Sequence, residues 1–276
     1  MQSLPGFICA LVAGLVWCLG VVAPAEAMDD ETYVPTVFVT GGNRGLGFEF
    51  VRQYADAGWN VIATARKPAK ADDLQALAKA NPRITIEQLD ITDIDRIDAL
   101  AEKYAGRPID ILLNNAAISG SPSREQSFRH LDYDQFDPFM RTNAMGPLKM
   151  SEAFYKSVEA SRHKKIVVIT SSAGLFSKTD TMTKGTYLYR ASKSALNMLM
   201  LQVADDVRRY GITVVLLNPG LVDTQKVLTE LNEKMNLGLT LIPIEDSIAG
   251  MRAVIAEKGL DESGRAWQWT GEALDW

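Results

Sequence analysis

Cysteine is nearly missing from this chain of 276 residues, which holds only Cys9 and Cys18, and histidine is as scarce, with His130 and His163 alone. Neither pair has metal-ligand spacing, which excludes a structural zinc site and a disulfide framework. Basic runs are lacking too. The 29 Lys and Arg are outnumbered by 34 Asp and Glu, for a formal net charge of -5, so nucleic acid is not an expected partner. A nucleophile elbow, G-x-S-x-G, is also absent. Ser172 has Gly174 behind it, but Thr170 stands where the first glycine is required, and a Ser/His/Asp hydrolase is set aside.

Charge is absent again from Phe7 to Val22, where the opening segment is apolar throughout. That run, followed by the small residues Ala25 and Ala27 around Glu26, reads as a targeting segment with cleavage before Met28. Residues 1–27 are expected to be a signal peptide, or a membrane anchor if uncleaved, and residues 28–276 the functional domain. Asp29, Asp30 and Glu31 follow, with no Lys or Arg before Arg44. Nothing there would hold the flank in the cytosol, and an exported or lumenal domain is expected, touching a membrane only through this segment.

What the rest of the chain does have is a rhythm. Short β-branched runs, TVFVT (36–40), NVIATA (60–65), ITIEQL (84–89), IDILLN (109–114), KIVVITS (165–171) and ITVVLLN (212–218), alternate with amphipathic stretches such as 46–57 and 94–105. Continuous apolar strands suit a sheet covered on both faces, and alternation with helices makes βα units. The expected fold is a single α/β domain, a doubly wound parallel sheet of Rossmann type. A helix from near Pro243 to about Lys258 and a seventh strand in RAWQW (265–269) complete it.

Ligands on such sheets bind beyond the carboxyl ends of the strands. The first strand runs into TGGNRGLG, where Thr40, Gly41, Gly45, Leu46 and Gly47 open a helix. Glycines there let a pyrophosphate approach the free amides of the helix N-terminus. Arg44 in the turn and Arg66 after the second strand take the place where an acid would bind a free ribose 2'-hydroxyl. Two cations favour the 2'-phosphate of NADP. Asp90 after the third strand is placed either to accept from the adenine amino group or to cap the next helix.

TGGNRGLG, NNAA (114–117), Asn143 in RTNAMGP, ITSS (169–172), YRASK (189–193) and NPGLVDT (218–224) follow one another in the order of the short-chain dehydrogenase/reductase family, which the chain resembles over nearly its whole length after the leader. YRASKSALN and the terminal GRAWQWTGEALDW are most similar to the branch of the carbonyl reductase sniffer and C-factor. Tyr189 and Lys193 lie four apart on one helix face, whereas Tyr187 has no such partner. A phenol ionises near pH ~10, and a nearby ammonium favours the ionised form. The resemblance implies that Tyr189 protonates a carbonyl oxygen, that Lys193 holds the nicotinamide ribose, that Ser171 rather than Ser172 fixes the substrate oxygen, and that Asn143 holds a water relaying protons through Lys193. It further implies cofactor contacts at Asn115, Pro219, Gly220, Val222 and Thr224. The interval from Ser171 to Tyr189 is longer than usual for the family, and Ala117 replaces the family's glycine.

The expected activity is hydride transfer between NADP (NADPH) and a carbonyl or alcohol substrate. Sugar-nucleotide epimerases share the Tyr and Lys but need a larger carboxyl-terminal domain. A non-catalytic dinucleotide-binding signalling protein is the rival reading, and the complete Asn, Ser, Tyr and Lys set argues against it. Met198 and Leu201, lying off the Leu196, Leu199, Val203 stripe, suit either a homodimer interface or a second intramolecular contact.

Overall fold

The computed structural model describes residues 32–118, 126–177, 186–224, 229–230, 232 and 238–275. The leader, part of the loop 118–136, most of the insertion before Tyr189 and part of the segment 221–242 lie outside the described residues, as do the expectations attached to them. The chain divides into two compact units, Met1–Tyr33 and Val34–Trp276, and all that follows concerns the second.

Eight strands form one sheet in the order β3-β2-β1-β4-β5-β6-β7-β8. β1 (Thr36–Val39), β2 (Asn60–Ala65), β3 (Ile84–Gln88), β4 (Ile111–Asn114), β5 (Lys165–Ile169), β6 (Thr213–Asn218) and β7 (Ala266–Gln268) are parallel, and β8 (Ala273–Leu274) returns antiparallel to β7. The six long runs predicted as strands are strands; five are buried on both faces, while β3, at the sheet edge, leaves Thr85 and Gln88 exposed. The predicted all-parallel sheet is corrected only at its last edge, by β8.

Helices cover each face. Val37 and Val39 of β1 face a core shared with α1 (Gly45–Asp56), α2 (Asp72–Ala80) and α7 (Ile244–Glu257), while Phe38 faces the core of α3 (Ile94–Lys103), α5 (Gly146–Glu159) and α6 (Tyr187–Arg208). On that second face Phe38 packs against Phe154 with ring centroids 4.9 Å apart. Alternation of neighbouring residues between two buried faces is the physical reason the strands carry no polar partner for every apolar residue.

The short helix α4 (Phe136–Met140) continues into α5 through a single π turn, Arg141–Met145, in which the Gly146 N–H donates to the Arg141 carbonyl. Leu201 packs within the chain, its Cδ2 lying 3.5 Å from where a methyl group on Gly264 would sit, whereas Met198 is exposed. Among the described residues no helix is long and apolar enough to cross a membrane.

Candidate active site

The sheet order reverses between β1 and β4, so the loops after these two strands part and leave a crevice at their carboxyl ends. The turn after β1 is built tightly. Gly41 and Gly45 have positive φ, and a methyl group on Gly47 would run into the Gly41 carbonyl and the Asn115 amide. Arg44 is the N-cap residue of α1 without a side-chain cap bond, which leaves its exposed guanidinium beside the helix N-terminus. Arg66 is exposed at the end of β2, with Lys67 next to it.

Two residues expected at the cofactor have another task. Thr40 is fully buried, and its Oγ1 accepts from the backbone N–H groups of Asn115 and Ala116, each at 3.0 Å. Asn115 Nδ2 donates to the Thr40 and Gly41 carbonyls at 2.9 and 3.2 Å. The pair ties the end of β1 to the end of β4 and holds the glycine turn in shape from behind. Asp90 spends one oxygen on Thr92, accepting from its N–H and its hydroxyl. The cap of α3 is Asp93, which accepts from Arg96 N–H at 3.0 Å, so capping is not the role of Asp90.

The four residues of the expected catalytic set converge. Ser171 follows β5 and caps a short turn, Ser172–Gly174, its Oγ accepting from Ala173 N–H at 3.2 Å. That bond leaves the hydroxyl proton free to point outward. Tyr189, in the first turn of α6, has Ser171 as a hydrogen-bonding neighbour, while burial pushes its phenol above the ordinary value. The sequence-based expectation that Lys193 sets the phenol's ionisation is therefore modified: burial raises it and the Ser171 hydroxyl lowers it, while the Lys193 Nζ lies 5.8 Å from the Tyr189 ring centre. Lys193 is itself buried and drawn down to about 8, and it donates to the Ile169 carbonyl at 2.8 Å. Tyr187 is 49% exposed.

Asn143 is fully buried in the π turn. Its Oδ1 accepts from Ile118 N–H at 2.8 Å, and its Nδ2 donates to the Ile118 carbonyl and to Ser192 Oγ. Ser192 Oγ in turn donates to the Tyr189 carbonyl at 2.8 Å. Both amide hydrogens are thus committed, and a water can be held only by other atoms. The main-chain carbonyl of Asn143 lacks its α-helical partner, because the residue four on is Pro147, which has no N–H.

After β6, Gly220 has positive φ, and Val222 forms a parallel bridge to Ile242. Thr224 comes back to the glycine turn, its Cβ 3.2 Å from where a methyl group on Gly45 would lie. Pro219 is fixed from α7 by Ser247, whose hydroxyl donates to its carbonyl at 2.7 Å. Sequence reasoning did not find Ser192, Gln126, Thr170 or Asn197. Gln126 accepts from the Tyr189 N–H at 3.4 Å, an interaction between residues 63 apart that no local pattern announces. A separate cleft of about 400 Å³ between Arg83, Lys103 and Arg107 lies at the amino-terminal end of the sheet, away from these residues.

A parallel sheet with a glycine turn at its switch point, facing a Tyr and Lys four apart beside a serine, defines a dinucleotide-fold enzyme of the oxidoreductase class. Residues 35–236 match the sequence profile of short chain dehydrogenases, and the chain belongs to that family. The NADPH-bound carbonyl reductase from chicken fatty liver is 29% identical, with a TM-score of 0.75 over 88% of this chain and 99% of its own. The carbonyl reductase Sniffer of D. melanogaster, at 23% identity, shares the fold with a TM-score of 0.76 over 88% of this chain and all of its own. The C-signal protein of Myxococcus xanthus is 32% identical over 179 residues, 64% of this chain and 99% of its own.

Proposed function

We propose that this chain is an NADPH-dependent carbonyl reductase in which Tyr189 is the general acid. The observation that carries the reading is the meeting of Ser171, Tyr189 and Lys193 at the carboxyl end of β5, beside the glycine turn. The turn fits a pyrophosphate, since its glycines leave no side chain between ligand and backbone, and Arg44 and Arg66 offer charge for a 2'-phosphate.

A reduced nicotinamide held by the glycine turn and Lys193 would supply a hydride for the carbonyl carbon. The Ser171 hydroxyl donates to the carbonyl oxygen and keeps it beside Tyr189. Burial keeps the Tyr189 phenol protonated, the state needed to give a proton to that oxygen as the alcohol forms. One N–H of the Lys193 ammonium is spent on Ile169, which leaves one for the nicotinamide ribose and one for a water. That water donates to the main-chain carbonyl of Asn143, which has no α-helical partner in Pro147, and returns a proton toward Tyr189.

The test is oxidation of NADPH by the purified protein over a panel of aliphatic and aromatic aldehydes and ketones, set beside NADPH affinity. Turnover of at least one carbonyl, abolished by Tyr189→Phe, is the expected result. Tight NADPH binding with no turnover of any member would favour the non-catalytic signalling reading.

A further inference from the structure

Tyr189, Lys193 and Asn197 stand at intervals of four and so share one face of α6. Asn197 is buried, and it reaches the residues on either side of the Ser171 turn. Thr170, immediately before Ser171, donates its hydroxyl to Asn197 Oδ1 at 2.5 Å. On the far side Asn197 Nδ2 donates to the Gly174 carbonyl at 3.3 Å, and Ser194 Oγ donates to the same carbonyl at 2.9 Å. A carbonyl can only accept, which fixes the orientation of the amide. Gly174 also lies hard against the helix, where a methyl group would come 2.8 Å from the Lys193 backbone carbon. One amide therefore grips both ends of the turn that carries the Ser171 hydroxyl.

We propose that Asn197, acting with Thr170, is a positioning residue that sets the distance between the Ser171 hydroxyl and the Tyr189 phenol. This rests on the reading of Ser171 and Tyr189 as the pair that handles the substrate oxygen. The alternative role, a buried amide that merely satisfies backbone groups at a strand end, would lower stability without touching the chemistry of Ser171.

The experiment measures kcat with NADPH and the fastest carbonyl of the panel, NADPH affinity and melting temperature for Ser171→Ala, Asn197→Leu, the double variant, Thr170→Val and Thr170→Ser. Asn197→Leu is expected to lose at least ~10-fold in kcat with NADPH affinity held within ~2-fold, and to cost less than ~2-fold more once Ser171 is already alanine, as residues acting as one unit do. Thr170→Val should behave like Asn197→Leu, and Thr170→Ser, which keeps the hydroxyl, should retain activity. This Thr170 pair decides the matter if the leucine variant fails to fold. Losses that multiply fully in the double variant, or a lowered melting temperature with unchanged kcat, overturn the proposal. A Ser171→Ala enzyme with undiminished kcat would instead overturn the reading beneath it.

Discussion

Lys193 places its ammonium 2.8 Å from the carbonyl oxygen of Ile169, the last residue of β5. The helix that carries Tyr189 is thereby tied through its buried cation to the strand that leads into Ser171. Burial holds this lysine at about 8 instead of the usual 10.5, so its charge is present below that pH and lost as pH rises through it. NADPH affinity is expected to weaken above about pH 8, by up to about tenfold per unit if the whole ionic contribution is lost. In the cofactor-free protein the sign is opposite. Between about 8 and 10.5 the unfolded chain holds the proton and the folded one does not, so stability rises with pH across that window. Lys193→Met should flatten both trends, and binding and thermal unfolding across pH check them. Tighter NADPH binding at higher pH would refute the first.

Replacing Tyr189 by Phe should abolish carbonyl reduction and leave NADPH affinity within about twofold, since the ring is kept and only the proton donor goes. Tyr187→Phe, at an exposed position, should be close to wild type. Single-turnover hydride transfer separates chemistry from binding in both, and an active Tyr189→Phe enzyme would remove the assignment.

Between the two serines, Ser171→Ala is expected to cost on the order of 10²-fold in kcat, the size of a lost donor to a developing oxyanion. Ser172→Ala should stay within about threefold, because no such donor is lost. The neighbouring Ser171 hydroxyl also pulls the Tyr189 phenol downward, so in Ser171→Ala the alkaline limb of kcat should move to higher pH. The reverse order of the two losses would transfer the role to Ser172.

Arg44→Ala and Arg66→Ala should each reduce the preference for NADPH over NADH, mainly by weakening NADPH. A tenfold preference needs only about 1.4 kcal/mol, within reach of two exposed guanidinium groups contacting one phosphate. Kinetics with both cofactors decide it. An unchanged ratio in both variants would mean that the 2'-phosphate is not read there.

Gly174→Ala should impair catalysis and stability together. The added methyl falls 2.8 Å from both the Lys193 backbone carbon and its Cβ, parts of a helix that cannot give way cheaply, and overpacking of this kind typically costs about 1–3 kcal/mol. Thermal unfolding and kcat on the same preparation test it.

The inner strands were legible in the sequence because their burial on both faces wrote continuous apolar runs. NVIATA (60–65) reads as the strand it forms, Asn60–Ala65. The two-residue β8 was not legible, since Ala273–Leu274 is too short to show a period. The π turn left no pattern of its own; its sign is Pro147, whose missing N–H matters only once the helix around Asn143 is known. At the site, Tyr189 and Lys193 announced themselves by helical spacing. Asn197 did not, because its partners Thr170 and Gly174 lie 27 and 23 residues away, and its task is visible only when β5 and α6 are laid together. Thr40 and Asn115 were found by their motif, but that motif could not tell a residue touching a ligand from one bracing the turn behind it.

The antiparallel return of β8 bears on how the protein tolerates company. An open sheet ends in a row of unpaired backbone groups, which another extended chain can use as a template. Here the row beside β7 is occupied by β8, which pairs Ala266 with Leu274 and Trp267 with Ala273. The outermost strand that remains is two residues long and offers an incoming strand almost no register to follow. At this border the chain is its own stop signal, so concentrated solutions should resist strand-by-strand growth there, and removal of the last few residues should make them gel or cloud sooner.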